Sequence, residues 1–245
     1  SVINQGTINV SNAGSVVLAS NEVINEGTIK AVKGKVHLVG ADSYSLNLNG
    51  NSLVNLRIDK GVLDALVKNS GHIIADGGEI YLTTNAVDEL LKGVVNNTGI
   101  IEANSIDDLF GKVELFAHGG TTEVDGSIEA NEGFVETSGR YFSIEEGSSI
   151  KAGEWLIDPV DITIDSALAG VIENALGTGD VTIETEAYVS GSAGSSVDTS
   201  SDGTDSENSD DGDTTDGDIY VNSDITWDTA QKLTLNAADS IYINS

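Results

Sequence analysis

The chain lacks several residue types that stabilise other folds. Its 245 residues include no cysteine, no methionine and one proline, and only 5% are aromatic. Without cysteine, neither a disulfide nor a thiolate metal site can hold the fold together. Glycine occurs 28 times, which favours many tight corners around a core of small aliphatic side chains. Because methionine is absent, we expect a fragment or mature product of a longer protein.

Basic residues are also scarce. Lysine and arginine number 11 against 40 acidic residues, so the formal net charge is -29. This balance argues against DNA, RNA or anionic lipid as partners, because each of them requires clustered lysine and arginine. No apolar stretch approaches the roughly 20 residues of a membrane helix. We therefore expect neither nucleic-acid binding nor membrane insertion.

A block of about twenty residues recurs along the chain. The segment Ile3–Ile8 returns as Ile24–Ile29, and each copy leads to a second glycine followed by an alternating apolar run. These runs are Gly14–Leu18, Gly34–Leu38, Gly78–Leu82, Gly111–Leu115 and Gly133–Thr137. Short strands punctuated by glycine at such a period predict repeats that stack on one another as a parallel β-solenoid.

Alignment of the copies predicts which residues stack. The first glycines are Gly6, Gly27, Gly71, Gly99, Gly126 and Gly147. The 44 residues between the second and third of them are expected to contain two repeats. Two residues after the glycine stand Ile8, Ile29, Ile73, Ile101 and Ile128, with a slip of one residue at Ile150. Two residues before it stand Asn4, Asn25, Asn69 and Asn97. Strand alternation predicts an inward isoleucine column, and the asparagines predict an amide ladder.

Other segments predict inserts within an all-β fold of about ten repeats, about 50 Å long at the spacing of paired strands. Short helices are expected at 85–92, 104–110 and 61–67, and a further helix at 166–176. Strands are expected on both sides of Pro159 and over 180–188. Residues 190–217 are rich in Ser, Gly, Asp and Thr, which predicts a flexible acidic loop between repeats over 1–189 and 218–245.

The chemistry-bearing residues favour structural roles. His37 and His72 fall in outward positions that accept many residue types in other repeats, and His118 precedes two glycines in an expected turn. Asp158 and Asp161 flank Pro159, where capping of a turn is favoured over a metal site. We expect no catalytic residue and no cofactor. The candidate calcium ligands are Asp210, Asp211 and Asp213, but their segment lacks the ligand spacing and closing glutamate of an EF-hand.

Several segments in a fixed order carry a family resemblance. They are Ala86–Gly93, Val94–Ala103, Gly133–Gly139, Trp155–Pro159 with Ile162–Ile164, Gly217–Asn222, Ile225–Trp227 and Leu233–Leu235. Together they resemble the filamentous-haemagglutinin-like exoproteins, which are large adhesins of Gram-negative bacteria exported by two-partner secretion. The resemblance implies a right-handed parallel β-helix, exported through an outer-membrane pore and folded outside the cell. The family's N-terminal secretion motifs are not found, so an internal segment is expected.

The resemblance implies a structural stalk and adhesive segment, secreted or held at the cell surface as a monomeric rod. Its partners would be a host receptor, a glycan or a biofilm polysaccharide. A stalk that delivers a contact-dependent toxin shares the same resemblance. A polysaccharide-degrading β-helix enzyme is disfavoured, because the only arginines, Arg57 and Arg140, lie outside any carboxylate cluster. A calcium-gated module is a further alternative.

Overall fold

The computed structural model describes residues 1–49, 52–62, 64–85, 93–186 and 217–245. Within these residues the protein is mostly β, with a single α-helix. The first thirteen strands are β1 (Val2–Asn4), β2 (Thr7–Asn9), β3 (Ser15–Ser20), β4 (Glu22–Asn25), β5 (Thr28–Lys30), β6 (Lys35–Gly40), β7 (Ser43–Asn49), β8 (Ser52–Lys60), β9 (Leu66–Asn69), β10 (His72–Ile74), β11 (Glu79–Asn85), β12 (Val94–Asn97) and β13 (Ile100–Glu102). The remaining elements are β14 (Lys112–Val124), β15 (Ser127–Ile144), β16 (Ser149–Asp158), β17 (Ile162–Ile164), α1 (Ser166–Ala175), β18 (Asp180–Glu184), β19 (Ile219–Val221), β20 (Leu233–Asn236) and β21 (Ile241–Ile243).

Most strands belong to one parallel sheet of 16 strands. We divide it into three stacks, each built from corresponding strands of successive repeats. The first stack contains β1, β4, β9, β12 and the ends of β14 and β15. The second contains β2, β5, β10, β13 and the starts of β15 and β16. The third contains β3, β6, β11, parts of β14, β15 and β16, then β18 and β20. This arrangement is compatible with a β-solenoid.

The third stack counts the repeats. It holds eight strands among the described residues, from β3 to β20. At the spacing of neighbouring strands these eight span about 34 Å. The strand β21 follows β20 and pairs with β19, so it begins one more repeat. The described residues therefore hold eight strands of the third stack and part of a ninth repeat, which is fewer than the predicted ten repeats and shorter than the predicted length of about 50 Å.

The excess comes mainly from the interval between Gly27 and Gly71, which was expected to hold two repeats. The structure shows one, because the amide of His72 donates to the carbonyl of Gly27 at 2.9 Å. The intervening residues instead form an antiparallel hairpin of β7 and β8. The hairpin is an insertion that leaves the order of the stacks unchanged.

Aliphatic side chains fill the interior. One inward column of the third stack is buried and in register from repeat to repeat. Its residues are Val16, Val36, Ile80, Val113, Val135, Trp155 and Val181. Burial of each such side chain contributes about 1.5–3 kcal/mol relative to an exposed position. The larger Trp155 retains a polar partner, because its indole N–H donates to the hydroxyl of Thr137 at 3.0 Å. The core is thus continuous from repeat to repeat.

The helix α1 confirms the helix that the sequence predicts over 166–176. The carboxylate of Asp165 caps it by accepting hydrogen bonds from the amides of Ala167 and Leu168, each at 3.0 Å. Its buried face includes Leu168, Val171 and Ile172 and joins the core. The second stack ends at β16, and α1 packs against that strand.

Two other predicted helices are wrong. Residues 104–110 form a tight turn closed by an antiparallel bridge between Ile106 and Leu109, with Asp107 in the left-handed region at φ 54°. In the segment 61–67, Leu66 and Val67 begin β9 and pair with β4. Of the helix predicted over 85–92, Asn85 ends β11, and residues 86–92 lie outside the described residues. The strand predicted over 180–188 is described as β18, which ends at Glu184.

Candidate functional site

The predicted ladder residues lie in register in the first two stacks. Ile8, Ile29, Ile73, Ile101 and Ile128 pair in succession, and all but the half-buried Ile8 are fully buried. Ile150 continues the column directly opposite Ile128. The place of Ile150 in the column is therefore confirmed, and the alignment of Gly147 with the other glycines is wrong. The amide of Ser149 donates to the carbonyl of Gly126, and Gly147 stands outside the glycine column with a φ of 95°.

The asparagines form a chain of amide hydrogen bonds. Asn4 donates to Asn25 at 2.7 Å, Asn25 to Asn69 at 2.8 Å, and Asn69 to Asn97 at 2.8 Å. The last three are fully buried. Val124 occupies the next position and ends the ladder. These residues hold repeats together and offer no chemistry to a ligand.

A surface groove lies on the outward side of the third stack. Outward positions there run Val17, His37, Tyr81, Glu114, Glu136, Leu156 and Thr182. The hairpin of β7 and β8 follows β6 directly, and Leu56, Arg57 and Ile58 of β8 face this side. Between them is a cavity of about 440 Å³, also lined by His37, Tyr81, Phe116 and His118. We call this cavity the hairpin groove.

His37 is the most buried polar residue of the groove, with 7% of its surface exposed. The sequence predicts that His37 holds an outward position that accepts many residue types. This prediction is wrong for His37, because neighbouring groups cover its ring. It stacks on Tyr81 with centroids 4.6 Å apart and planes 11° apart. Burial and the adjacent charge of Lys35, partly opposed by Glu79, lower the pKa of His37 to about 4. The imidazole is therefore neutral at neutral pH, and within the described chain its buried Nε2 has no hydrogen-bond partner.

Tyr81 belongs to a charged network at the edge of the groove. Its hydroxyl donates to Glu79 at 2.6 Å, and the Lys35 ammonium donates to the same carboxylate oxygen at 2.8 Å. Burial opposes ionisation of Glu79, yet these two hydrogen bonds and the charges of Lys35 and Lys112 outweigh it and lower its pKa. Burial and Glu79 raise the pKa of the Tyr81 phenol. Lys112 lies 5.8 Å above the Tyr81 ring and pairs with Glu114.

The far end of the groove is aromatic. His118 and Phe116 contact each other with centroids 3.8 Å apart. Burial lowers the pKa of His118. The expected turn is corrected: His118 lies within β14 and pairs with Asn85, immediately before a register shift at Gly119 and Gly120. The third histidine, His72, lies outside the groove with its Nε2 3.2 Å from Glu102.

The aspartates beside Pro159 do not form a shared site. Asp161 accepts hydrogen bonds from the amides of Gly217 and Asp218 at 2.7 and 2.8 Å, so it caps a turn. Asp158 is half-buried, and burial, followed by the charges of Glu186, Glu136 and Glu184, raises its pKa to about 7. In the part of the chain that the structure describes, no group of three His, Cys, Asp or Glu residues could hold a metal ion. The candidate ligands Asp210, Asp211 and Asp213 lie outside the described residues.

Two comparisons with known proteins give no match. No protein-family model matches the chain, and no curated protein matches it. Among the described helices, none combines the length and the apolar character needed to cross a bilayer.

Proposed function

We propose that the chain is a right-handed parallel β-helix that forms a stalk and adhesive segment of a large bacterial adhesin of the filamentous-haemagglutinin-like kind. Parallel strands joined by crossovers are right-handed in about 98% of cases, which supports this hand. The order of the motifs in the sequence supports the family. The proposal includes a secreted or surface-exposed location. A chain without cysteine forms no disulfide that would obstruct its passage through a secretion pore, which supports this location.

One observation carries the proposal: the third stack repeats in register through eight strands. A stack of this kind grows by adding repeats, and each repeat contacts chiefly its neighbours. Its interior is filled by aliphatic side chains, so the surfaces that it offers to partners are the outer strand faces and inserts. That geometry suits attachment along a rod.

The net charge of -29 restricts the kinds of partner that the rod can bind. Cell surfaces and nucleic acids that are themselves anionic would repel such a rod at long range. Adhesion must therefore come from local contacts with a host receptor, a glycan or a biofilm polysaccharide. Export in this proposal passes through an outer-membrane pore of the two-partner type.

The test is adhesion of beads that display the chain. Wild-type beads are expected to bind cultured epithelial cells, extracellular matrix or biofilm polysaccharide. The matched control is Leu115→Pro, which removes a ladder hydrogen bond from the buried centre of the third stack and unfolds it. Binding by wild-type beads that equals binding by control beads on all three surfaces would overturn the proposal.

A further inference from the structure

Three chemically complementary side chains stand in register on the outward side of the first stack. Lys68 of β9 lies opposite Asn96 of β12, and Asn96 lies opposite Glu123 of β14. Neighbouring strands of a sheet are about 4.8 Å apart, a distance that the flexible stem of a lysine can span. An amine, a carboxamide and a carboxylate therefore occupy successive strands within reach of one another.

The amine of Lys68 is not held in an ion pair with any described residue. Five other lysines do pair with carboxylates, and they are Lys33, Lys35, Lys60, Lys112 and Lys151. Lys68 is half-buried and stands beside apolar side chains, with Ile24 opposite it in the preceding repeat and Leu66 two residues earlier on the same face. Its amine is therefore available to react with a neighbouring group.

Asn96 presents its carboxamide between the other two side chains. Its amide nitrogen donates to the carboxylate of Glu123 at 2.6 Å, so this nitrogen is directed towards β14. Its Oδ1 is buried and has no hydrogen-bond partner within the described chain. A buried polar atom without a partner is rare in native proteins, and a catalytic role is one of the reasons for which such an atom is retained.

We propose that Lys68 and Asn96 form an isopeptide bond, with Glu123 as the catalytic base and acid. The Nζ lone pair of Lys68 forms a bond to Cγ of Asn96. The carboxylate of Glu123 takes the proton that the amine loses and returns it to Nδ2 of Asn96. The bond between Cγ and Nδ2 then breaks, and ammonia leaves. One amide replaces another, so the step is balanced without a co-reactant.

Proximity offsets the usual obstacle to this reaction. A lysine amine attacks only in its neutral form, and at pH 8 about one free lysine side chain in 250 is neutral. Groups that a fold holds in alignment react with effective molarities of about 10⁵–10⁸ M, which outweighs that loss. An adjacent base further activates a weak nucleophile, and Glu123 is the base in this arrangement.

The bond joins two successive repeats covalently. It closes the chain between β9 and β12 into a loop, as a disulfide does in other proteins. Because the chain has no cysteine, an isopeptide bond supplies a covalent tie by a different chemistry. The inference goes beyond the proposed function, since bond formation requires no adhesive partner.

The chain contains a matched control. Lys30 lies opposite Asn9 in the second stack, but the residue on the other side of Lys30 is Ile74, so no carboxylate stands in register with this pair. Lys30→Met therefore removes a lysine that faces an asparagine and leaves the proposed bond intact. Lys68→Met removes the attacking amine, and Glu123→Gln removes the base while keeping the shape of the side chain.

The experiment is mass spectrometry of the purified chain after incubation at pH 8, before and after digestion with trypsin. Wild type and Lys30→Met are expected to lose one ammonia and to yield a branched peptide that joins 61–92 to 93–112 through Lys68 and Asn96. Lys68→Met is expected to yield none. In Glu123→Gln, formation should be about 100-fold slower or more. Wild type kept unfolded in urea should also yield none, because the register is lost.

Absence of the branched peptide from folded wild type would overturn the proposal, whether or not the variants fold. Formation of this peptide in urea would overturn the dependence on register, and undiminished formation in Glu123→Gln would overturn the catalytic assignment. Bead adhesion separates these failures from failure of the proposed function. A chain that adheres without the bond overturns the bond alone, and a bonded chain that does not adhere overturns the adhesive function alone.

Discussion

The asparagine ladder predicts a graded loss of stability that depends on position. Asn69 lies inside the ladder, where it accepts a hydrogen bond from Asn25 and donates one to Asn97, both at 2.8 Å. Asn4 lies at its start and has a single ladder bond, to Asn25. Replacement of Asn69 by valine removes two buried ladder bonds. Replacement of Asn4 removes one partly exposed ladder bond and an exposed bond from the Gly6 amide at 3.2 Å.

The magnitudes follow from the groups left without partners. A buried donor or acceptor that loses its partner costs about 1–3 kcal/mol. Asn69→Val orphans the Asn25 amide and the Asn97 carbonyl oxygen, and Asn25 retains only a long contact to the Gly27 carbonyl at 3.3 Å. We expect a loss of about 3 kcal/mol for Asn69→Val and about 1 kcal/mol for Asn4→Val. Steric mismatch is not the cause, since Val124 fills the corresponding position two repeats later.

The assay is urea denaturation followed by circular dichroism, with the slope against urea compared between variants. An unchanged slope assigns the difference to the folded state. Equal losses for the two variants, or a smaller loss for Asn69→Val, would refute the reasoning that buried amide pairing holds adjacent repeats together.

Three further variants test separate features. Because the pKa of His37 is lowered to about 4, its contribution to stability is present above its unfolded value near 6.5 and is lost as the pH falls towards 4. Between these two pH values, thermal denaturation should show that the free energy of unfolding falls by up to about 3 kcal/mol more in wild type than in His37→Val. Parallel profiles of this free energy against pH for the two proteins would contradict the prediction. Because the pKa of Asp158 is raised to about 7, its ionisation destabilises the fold as the pH rises from 4 through 7. After allowance for solvent screening, Asp158→Asn should raise the free energy of unfolding by about 1–2 kcal/mol over wild type at pH 8 and leave it unchanged at pH 4. An equal increase at both pH values would exclude ionisation of Asp158 as the cause. Gly99→Ala places a Cβ on the carbonyl oxygen of Gly71, whereas Gly6→Ala meets open space. Chemical denaturation should show a loss of about 1–3 kcal/mol for the first alone, and equal losses would argue against close stacking.

The sequence predicts the stacked residues well where one residue type recurs. The isoleucine and asparagine positions can be read from spacing, because parallel pairing in register places equal residues opposite each other. The helix α1 is likewise signalled by Asp165 before a run of helix-forming residues. The helix depends on local chemistry, whereas the two columns depend on each repeat adopting the same conformation as its neighbour.

The hairpin had a signal that the repeat alignment obscured. Alternating apolar residues stand on both sides of Gly50 and Asn51 in the sequence, and a Gly-Asn pair between such runs is a hairpin signal. A repeat of fixed length instead predicts two repeats in this interval. The helix expected over 104–110 failed for another reason, because Asp107 adopts the left-handed conformation and closes a turn.

The groove could not be predicted from the sequence. Burial of His37 depends on its stacking with Tyr81, a residue 44 positions later in the chain. Outward positions of a repeat are ordinarily exposed, and only the tertiary structure shows which of them is covered. The candidate site therefore arises from an insertion that breaks the repeat.

Distance measurements along the third stack test the central claim most directly. The chain has no cysteine of its own, so two cysteines can be introduced and labelled with spin labels at chosen positions. One label replaces Val17, and the other replaces Leu156, Thr182 or Thr234 in turn. All four residues hold the same outward position of the third stack. Stacking in register predicts backbone separations of about 24, 29 and 34 Å, rising by about 4.8 Å for each repeat. Electron–electron resonance distances that fail to rise in this order would contradict the stacked architecture.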